Sequence, residues 1–192
     1  DRSGLLPFAW DEREMGYRRY VEWALDVPMF LLKRAGQVVK NTGQTFRAFL
    51  RDGFSGHHAT LEDWTTHLNT LFPEVRLKHT LEIRGADSQP DETVAALPAL
   101  YKGLLYDERA LAEAAALASR MTFADAQAAR EPIADRALRA TLGGRELAAW
   151  AADVLTIAEG GLERIADRDA AGRDERIHLA ALRSLVERGD SP

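Results

Sequence analysis

Eleven consecutive residues, Glu74 to Arg84, alternate in polarity without interruption. Val75, Leu77, His79, Leu81 and Ile83 are apolar or nearly so, whereas Glu74, Arg76, Lys78, Thr80, Glu82 and Arg84 are polar. A period of two is the repeat of an extended strand with one buried face, so the chain has to supply a core for the odd positions to cover. The polar side has two readings. It meets water, with mixed charges pairing across strands for about 0.2–1 kcal/mol each. Alternatively it is a working surface, because cations and carboxylates in fixed alternation can hold phosphate, a metal ion and an amino acid together.

Around this strand the first 90 residues mix helix and strand signals. YRRYVEWALD (17–26) suits a helix that stops before Pro28, since the residue preceding a proline is pushed out of the helical region. MFLLKR and QVVKN, separated by Ala35-Gly36, read as two strands joined by a tight turn. TFRAFLRDG predicts a short helix ending on Gly53, with Phe46, Phe49 and Leu50 on one face. TLEDWTTHLNTLF predicts a helix with Thr60 and Asp63 as a capping box, burying Leu61, Trp64, Leu68, Leu71 and Phe72.

From residue 91 onward the apolar residues recur three and four apart in segments rich in Ala, Leu, Glu and Arg, with breaks expected at Pro132, Gly143-Gly144 and Gly160-Gly161. The chain therefore reads as α+β: residues 1–90 carry the sheet, and residues 91–192 form a helical bundle packed on it. The first 90 residues hold 12 of the 25 basic and 12 of the 30 acidic residues, so the acidic excess lies wholly in the helical part.

Composition removes several function classes. The net charge of −5, with bases interspersed among acids, gives no nucleic-acid footprint, and no apolar run is long enough to cross a bilayer. With no cysteine there is no disulfide, thiolate nucleophile or cysteine-bound metal; a cytoplasmic location is expected. The opening DRSGLLPF carries neither an initiator Met nor a targeting pattern, and reads as the interior of a longer protein. His57, His58, His67 and His79 lack metal-site spacing, and no GxSxG, GxGxxG or Walker A loop is present. NTGQTF (41–46) could place Thr42 and Thr45 beside a ligand, although Thr45 serves equally well as a helix cap.

Six stretches in order, DRSGLLPF, YVEWALDVPMF, NTGQTFRAFL, TLFPEVRLK, LEIRGAD and LPALYKGLLYDE, resemble the C-terminal half of the plant-type glutamate-cysteine ligases, a family that also occurs widely in proteobacteria. They span the chain to about residue 110; beyond it the likeness is fainter. The resemblance implies an enzyme that joins the γ-carboxyl of L-glutamate to the amine of L-cysteine through γ-glutamyl phosphate, consuming ATP with Mg²⁺, as the first step of glutathione synthesis. It also implies a glutamine-synthetase-like antiparallel sheet, shared with the N-terminal half of the same enzyme, without which this chain would be inactive.

On the charged strand the resemblance makes Arg76, Lys78 and Arg84 catalytic clamps for phosphate or carboxylate, and Glu82, with Glu74 behind it, the metal-binding carboxylates. Arg2, Phe30, Thr42, Thr45 and Arg47 become substrate-binding residues; Phe30 stands where relatives often carry Tyr. The regulatory cysteines of the plant enzymes fall at Asn41 and Ala96, so a disulfide switch of that kind is excluded. Two alternatives remain: another ATP-dependent carboxylate-amine ligase of the same fold, and a non-catalytic association module.

Overall fold

The computed structural model describes residues 2–11 and 15–190. The chain forms two compact units, Asp1–Gly85 and Ala86–Pro192. The structural division precedes the compositional one at residue 90 because the intervening segment bonds forward: the Thr93 hydroxyl donates to Gln89 (3.1 Å) and the Thr93 N–H to the Pro90 carbonyl (2.9 Å).

The first unit begins with β1 (Ser3–Gly4), a 3-10 turn (Pro7–Trp10) and α1 (Tyr17–Asp26). A hairpin follows, β2 (Leu31–Arg34) and β3 (Gln37–Lys40), paired Leu31 to Lys40 through Arg34 to Gln37. Ala35 and Gly36 turn it with φ of 47° and 77°, the left-handed pair that a two-residue hairpin needs. Next come α2 (Phe46–Asp52) and α3 (Leu61–Asn69). Thr45 caps α2 by accepting from the Ala48 N–H (3.1 Å).

Thr60 and Asp63 form the capping box of α3: the Thr60 hydroxyl accepts from the Asp63 N–H (3.2 Å), and the Asp63 carboxylate accepts from the Thr60 N–H (2.9 Å). Arg34 reaches the same buried carboxylate with both terminal nitrogens at 2.6 and 2.7 Å, tying the β2–β3 hairpin to the start of α3. The core between them is Met29, Leu32, Phe46 and Phe49, flanked by Trp64, whose ring lies edge-on to Phe46 at 4.9 Å. A second cluster joins Ala24, Val27 and Leu71.

Two helix expectations are corrected here. Leu50 and Leu61 are exposed, Leu61 at 84%, and α3 instead buries Asp63 and His67. The capping-box carboxylate and its arginine partner occupy the inward side of the first turn, which rotates Leu61 outward.

After α3 the chain forms β4 (Phe72–Pro73), parallel to β1, and then β5 (Val75–Leu77) and β6 (Leu81–Ile83), which pair antiparallel. Residues 74–84 are thus a hairpin rather than one strand, with Val75 opposite Ile83, Arg76 opposite Glu82 and Leu77 opposite Leu81. The expected burial of the odd face does not hold either. Val75, Leu81 and Ile83 are exposed, Leu81 at 69%, while Arg76 retains only 7% of its surface. Among the described residues every sheet is two-stranded.

The second unit consists of α4 (Asp91–Val94), α5 (Ala96–Leu105), α6 (Glu108–Ala118), α7 (Phe123–Arg136), a small hairpin of β7 (Thr141–Leu142) and β8 (Arg145–Glu146), α8 (Leu147–Ile165) and α9 (Ala180–Arg188). Ala96, Ala99, Leu155, Ala158, Leu162 and Leu179 make its main core. Of the three expected breaks only Gly143-Gly144 is a turn; Pro132 lies within α7 and Gly160-Gly161 within α8. Gly161 sits where α8 crosses α5, and a methyl group there would overlap the Gly103 carbonyl.

Candidate active-site face

The end of α3 determines why Arg76 is buried. A helix leaves its last carbonyls without intrahelical partners, and the Arg76 guanidinium fills that gap, donating to the Asn69 carbonyl (3.0 Å) and the Leu71 carbonyl (3.1 Å) through one terminal nitrogen. Its other two nitrogens converge on one oxygen of Glu82, at 2.7 and 2.6 Å. The second Glu82 oxygen accepts from Arg84 (3.1 Å), and the Lys78 ammonium lies 4.0 Å from the carboxylate. Glu82 is consequently surrounded by three cations. The Arg76 hydrogen bonds, together with the charges of Arg76, Lys78 and Arg84, hold its carboxyl below the ordinary carboxylate range despite some desolvation.

Phe72 completes the cluster. It lies on β4 and not in α3, partly exposed, with the Arg84 guanidinium 5.4 Å and that of Arg76 5.9 Å from its ring centre. The pattern of the sequence assigned it to the helix core; only its position directly after the buried Leu71 and before Pro73 marks it as the start of a strand.

This arrangement divides the proposed clamps. Lys78 and Arg84 are exposed cations, each touching Glu82 through one nitrogen. Arg76 is not an open clamp, because burial and four hydrogen-bonding contacts commit it to the fold. Nor do Glu82 and Glu74 fit Mg²⁺. The oxygens of Glu82 face guanidinium groups, which would repel a cation, and no cluster of three or more His, Asp or Glu able to hold a metal occurs among the described residues. Glu74 lies at the bend between β4 and β5, its N–H bonded to the Gly4 carbonyl (3.0 Å) and its carbonyl to the Arg84 N–H (2.8 Å).

The remaining predicted residues fall into a second group. Arg2 stacks over the Phe30 ring at 3.8 Å and donates to the Thr70 carbonyl (3.3 Å) and the Pro28 carbonyl (2.5 Å). The 41–45 loop runs beside it: the Asn41 N–H bonds the Phe30 carbonyl (3.1 Å) and the Met29 N–H the Gln44 carbonyl (2.8 Å). Arg2, Phe30, Thr42 and Thr45 are therefore brought to one region, with Thr42 exposed and Thr45 occupied as a cap. Arg47 departs from it, held by Asp26 (2.6 Å) and Glu22 (2.7 Å) of α1. Those two carboxylates give it a structural assignment instead of a ligand.

The two groups meet through backbone, since the Phe72 N–H donates to the Arg2 carbonyl (2.6 Å) where β1 runs beside β4. The hairpin face thus presents two exposed cations, an aromatic ring and a carboxylate that orients both cations. Cations presented in this way are of the kind that can hold a phosphate or carboxylate group.

Comparison with known proteins identifies the family. The family described as glutamate-cysteine ligase family 2 matches residues 1–192. The chain is 40% identical over 195 residues to the chloroplastic glutamate–cysteine ligase of Brassica juncea, an alignment covering 100% of this chain and 37% of that protein. The corresponding enzymes of Medicago truncatula and Arabidopsis thaliana are 38% and 39% identical, again over 100% of this chain, and 37% and 36% of their own length. The chain spans little more than a third of the length of these relatives. All three are named chloroplastic, which overturns the cytoplasmic location expected from composition.

Proposed function

The chain belongs to the glutamate-cysteine ligase family 2, and from that premise we propose that it is part of an enzyme that joins the glutamate γ-carboxyl to the cysteine amine at the expense of ATP. In the first half-reaction a γ-carboxylate oxygen attacks the terminal phosphorus of ATP, giving γ-glutamyl phosphate and ADP. In the second the cysteine amine attacks the acyl carbon, the C–O bond to phosphate breaks, and the amide, inorganic phosphate and a proton are released.

The observation that carries this reading to particular residues is the charged hairpin. Both half-reactions bring anions together, and fixed cations lower the cost of doing so. Lys78 and Arg84 are assigned to contact a phosphate or a substrate carboxylate. Glu82 and Arg76 act as positioning residues: the buried Arg76 fixes Glu82, and Glu82 sets the direction of both cations. Arg2 and Phe30, stacked beside the 41–45 loop, are assigned to a neighbouring substrate subsite. The two-stranded sheets are proposed to be portions of a wider, glutamine-synthetase-like antiparallel sheet completed by the rest of the enzyme. No step is assigned to a metal ion on these residues.

The test is ADP release by the complete ligase with ATP and glutamate, comparing cysteine with a panel of other amines. Release that depends on cysteine is the expected result. Release with a different amine would keep the phosphoryl chemistry and change the acceptor, and no release with any amine would refute the ligase reading.

A further inference from the structure

Asn41, at the start of the loop beside Phe30, is a polar side chain left only 2% exposed. Its amide nitrogen donates to the Gln44 side-chain carbonyl (2.8 Å) and lies 3.5 Å from the Met29 sulfur. Gln44 continues the chain of bonds, its own amide nitrogen donating to the Gly53 carbonyl at the end of α2 (3.0 Å). The main chain of the same two residues brackets Phe30: the Asn41 N–H donates to the Phe30 carbonyl, and the Gln44 carbonyl accepts from the Met29 N–H. Between them Gly43 takes a φ of 110°, a backbone angle that L side chains rarely adopt, and so lets the loop reverse. A buried amide costs stability unless its hydrogen bonds are made, and a paired one admits few other arrangements.

We propose that Asn41 and Gln44 are positioning residues for the ligation, their amide relay holding Phe30 and the 41–45 loop in the arrangement that the Arg2–Phe30 subsite needs. The proposal rests on the assignment of that subsite above. Phe30 is 43% exposed and carries Arg2 over its ring, so core packing alone does not fix its direction. Its neighbouring backbone is bonded to positions 41 and 44, and the side-chain bond between those positions sets their separation. Breaking the relay leaves Met29 packed in the core but frees the loop, which turns Thr42 and the Phe30 ring out of place. Neither amide touches substrate on this account: Asn41 is enclosed, and both ends of the Gln44 amide are occupied.

The experiment is steady-state kinetics of the complete ligase, with glutamate, cysteine and ATP varied in turn, for Asn41→Ala, Gln44→Met, the double variant and Arg2→Ala. Gln44→Met keeps the volume of a half-buried side chain while removing both links, and so carries the test if Asn41→Ala does not fold. The expected result is a KM at least about tenfold higher for one amino-acid substrate, with kcat within about threefold of the parent and the KM for ATP unchanged. The double variant should lose no more than the larger single one, because both act through one relay. Unchanged KM values in variants that only melt earlier would overturn the proposal, as would fully additive losses. A raised KM in Arg2→Ala alone keeps the subsite and refutes the relay. A raised KM in Gln44→Met, with Arg2→Ala unaffected, supports the relay and removes Arg2 from the subsite, so the two failures are separable.

Discussion

A buried guanidinium is tolerated at position 76 because every partner it needs lies within 3.1 Å: two carbonyls at the end of α3 and the Glu82 carboxylate. Replacing it by Ala strands those groups, and Arg76→Ala should lower unfolding stability by about 3 kcal/mol. Lys78→Ala, at an exposed site, should stay within about 0.5 kcal/mol of the parent in the same denaturant titration. Glu82 makes the pH dependence testable. Its folded-state pKa lies below the ordinary value of 4.5, so its stabilising contribution is complete above that value and is lost as pH falls through the folded value. Stability measured between pH 7 and 3 should therefore fall more steeply for the parent than for Glu82→Gln; parallel curves would mean the cation cluster does not stabilise the fold. None of this was legible in the alternation itself. Polarity marks Arg76 as solvent-facing, and only the position of the helix end, seven residues earlier at Asn69, assigns it inward.

At the scale of elements, the hairpin explains both what the pattern conveys and what it hides. Its paired residues are Val75 with Ile83, Arg76 with Glu82 and Leu77 with Leu81. Odd positions oppose odd and even oppose even, so a period of two continues unbroken through the reversal. The turn at Lys78-His79-Thr80 carries none of the Gly, Asn or Pro residues that ordinarily announce one. Elements with explicit punctuation were readable: Thr60 and Asp63 announce the start of α3, and Ala35-Gly36 the β2–β3 turn. Glycine misled in α8, where it serves packing. Gly161→Ala should destabilise by about 1–3 kcal/mol, because the new methyl meets the Gly103 backbone. Gly160→Ala meets first the movable end of Arg164, at 3.2 Å, and should be neutral or stabilising by up to about 1 kcal/mol. Thermal melts of the pair check this, and a reversed order would contradict the proposed close crossing of α5 and α8.

At the scale of the whole molecule, the change in composition near residue 90 and the structural division after Gly85 separate a mixed unit from a helical one. The family resemblance was legible because short stretches occur in order along the chain to about residue 110, and the family match extends it to residues 1–192. Cellular address was not legible, since a lack of cysteine speaks to redox chemistry and not to destination. The candidate site was legible in part. The charged residues were found, but their division into exposed cations and positioning partners required the fold. The central claim is that Lys78 and Arg84 bind the anions of the ligation. Its most direct test is turnover of the complete ligase carrying Arg84→Ala, with Arg51→Ala, an exposed residue paired to Asp52 in α2, as control. The account predicts a loss of about 100-fold in kcat/KM for Arg84→Ala with an unchanged melting curve, and none for the control. Equal activity of the two variants would contradict it and return the charged face to a solvated surface.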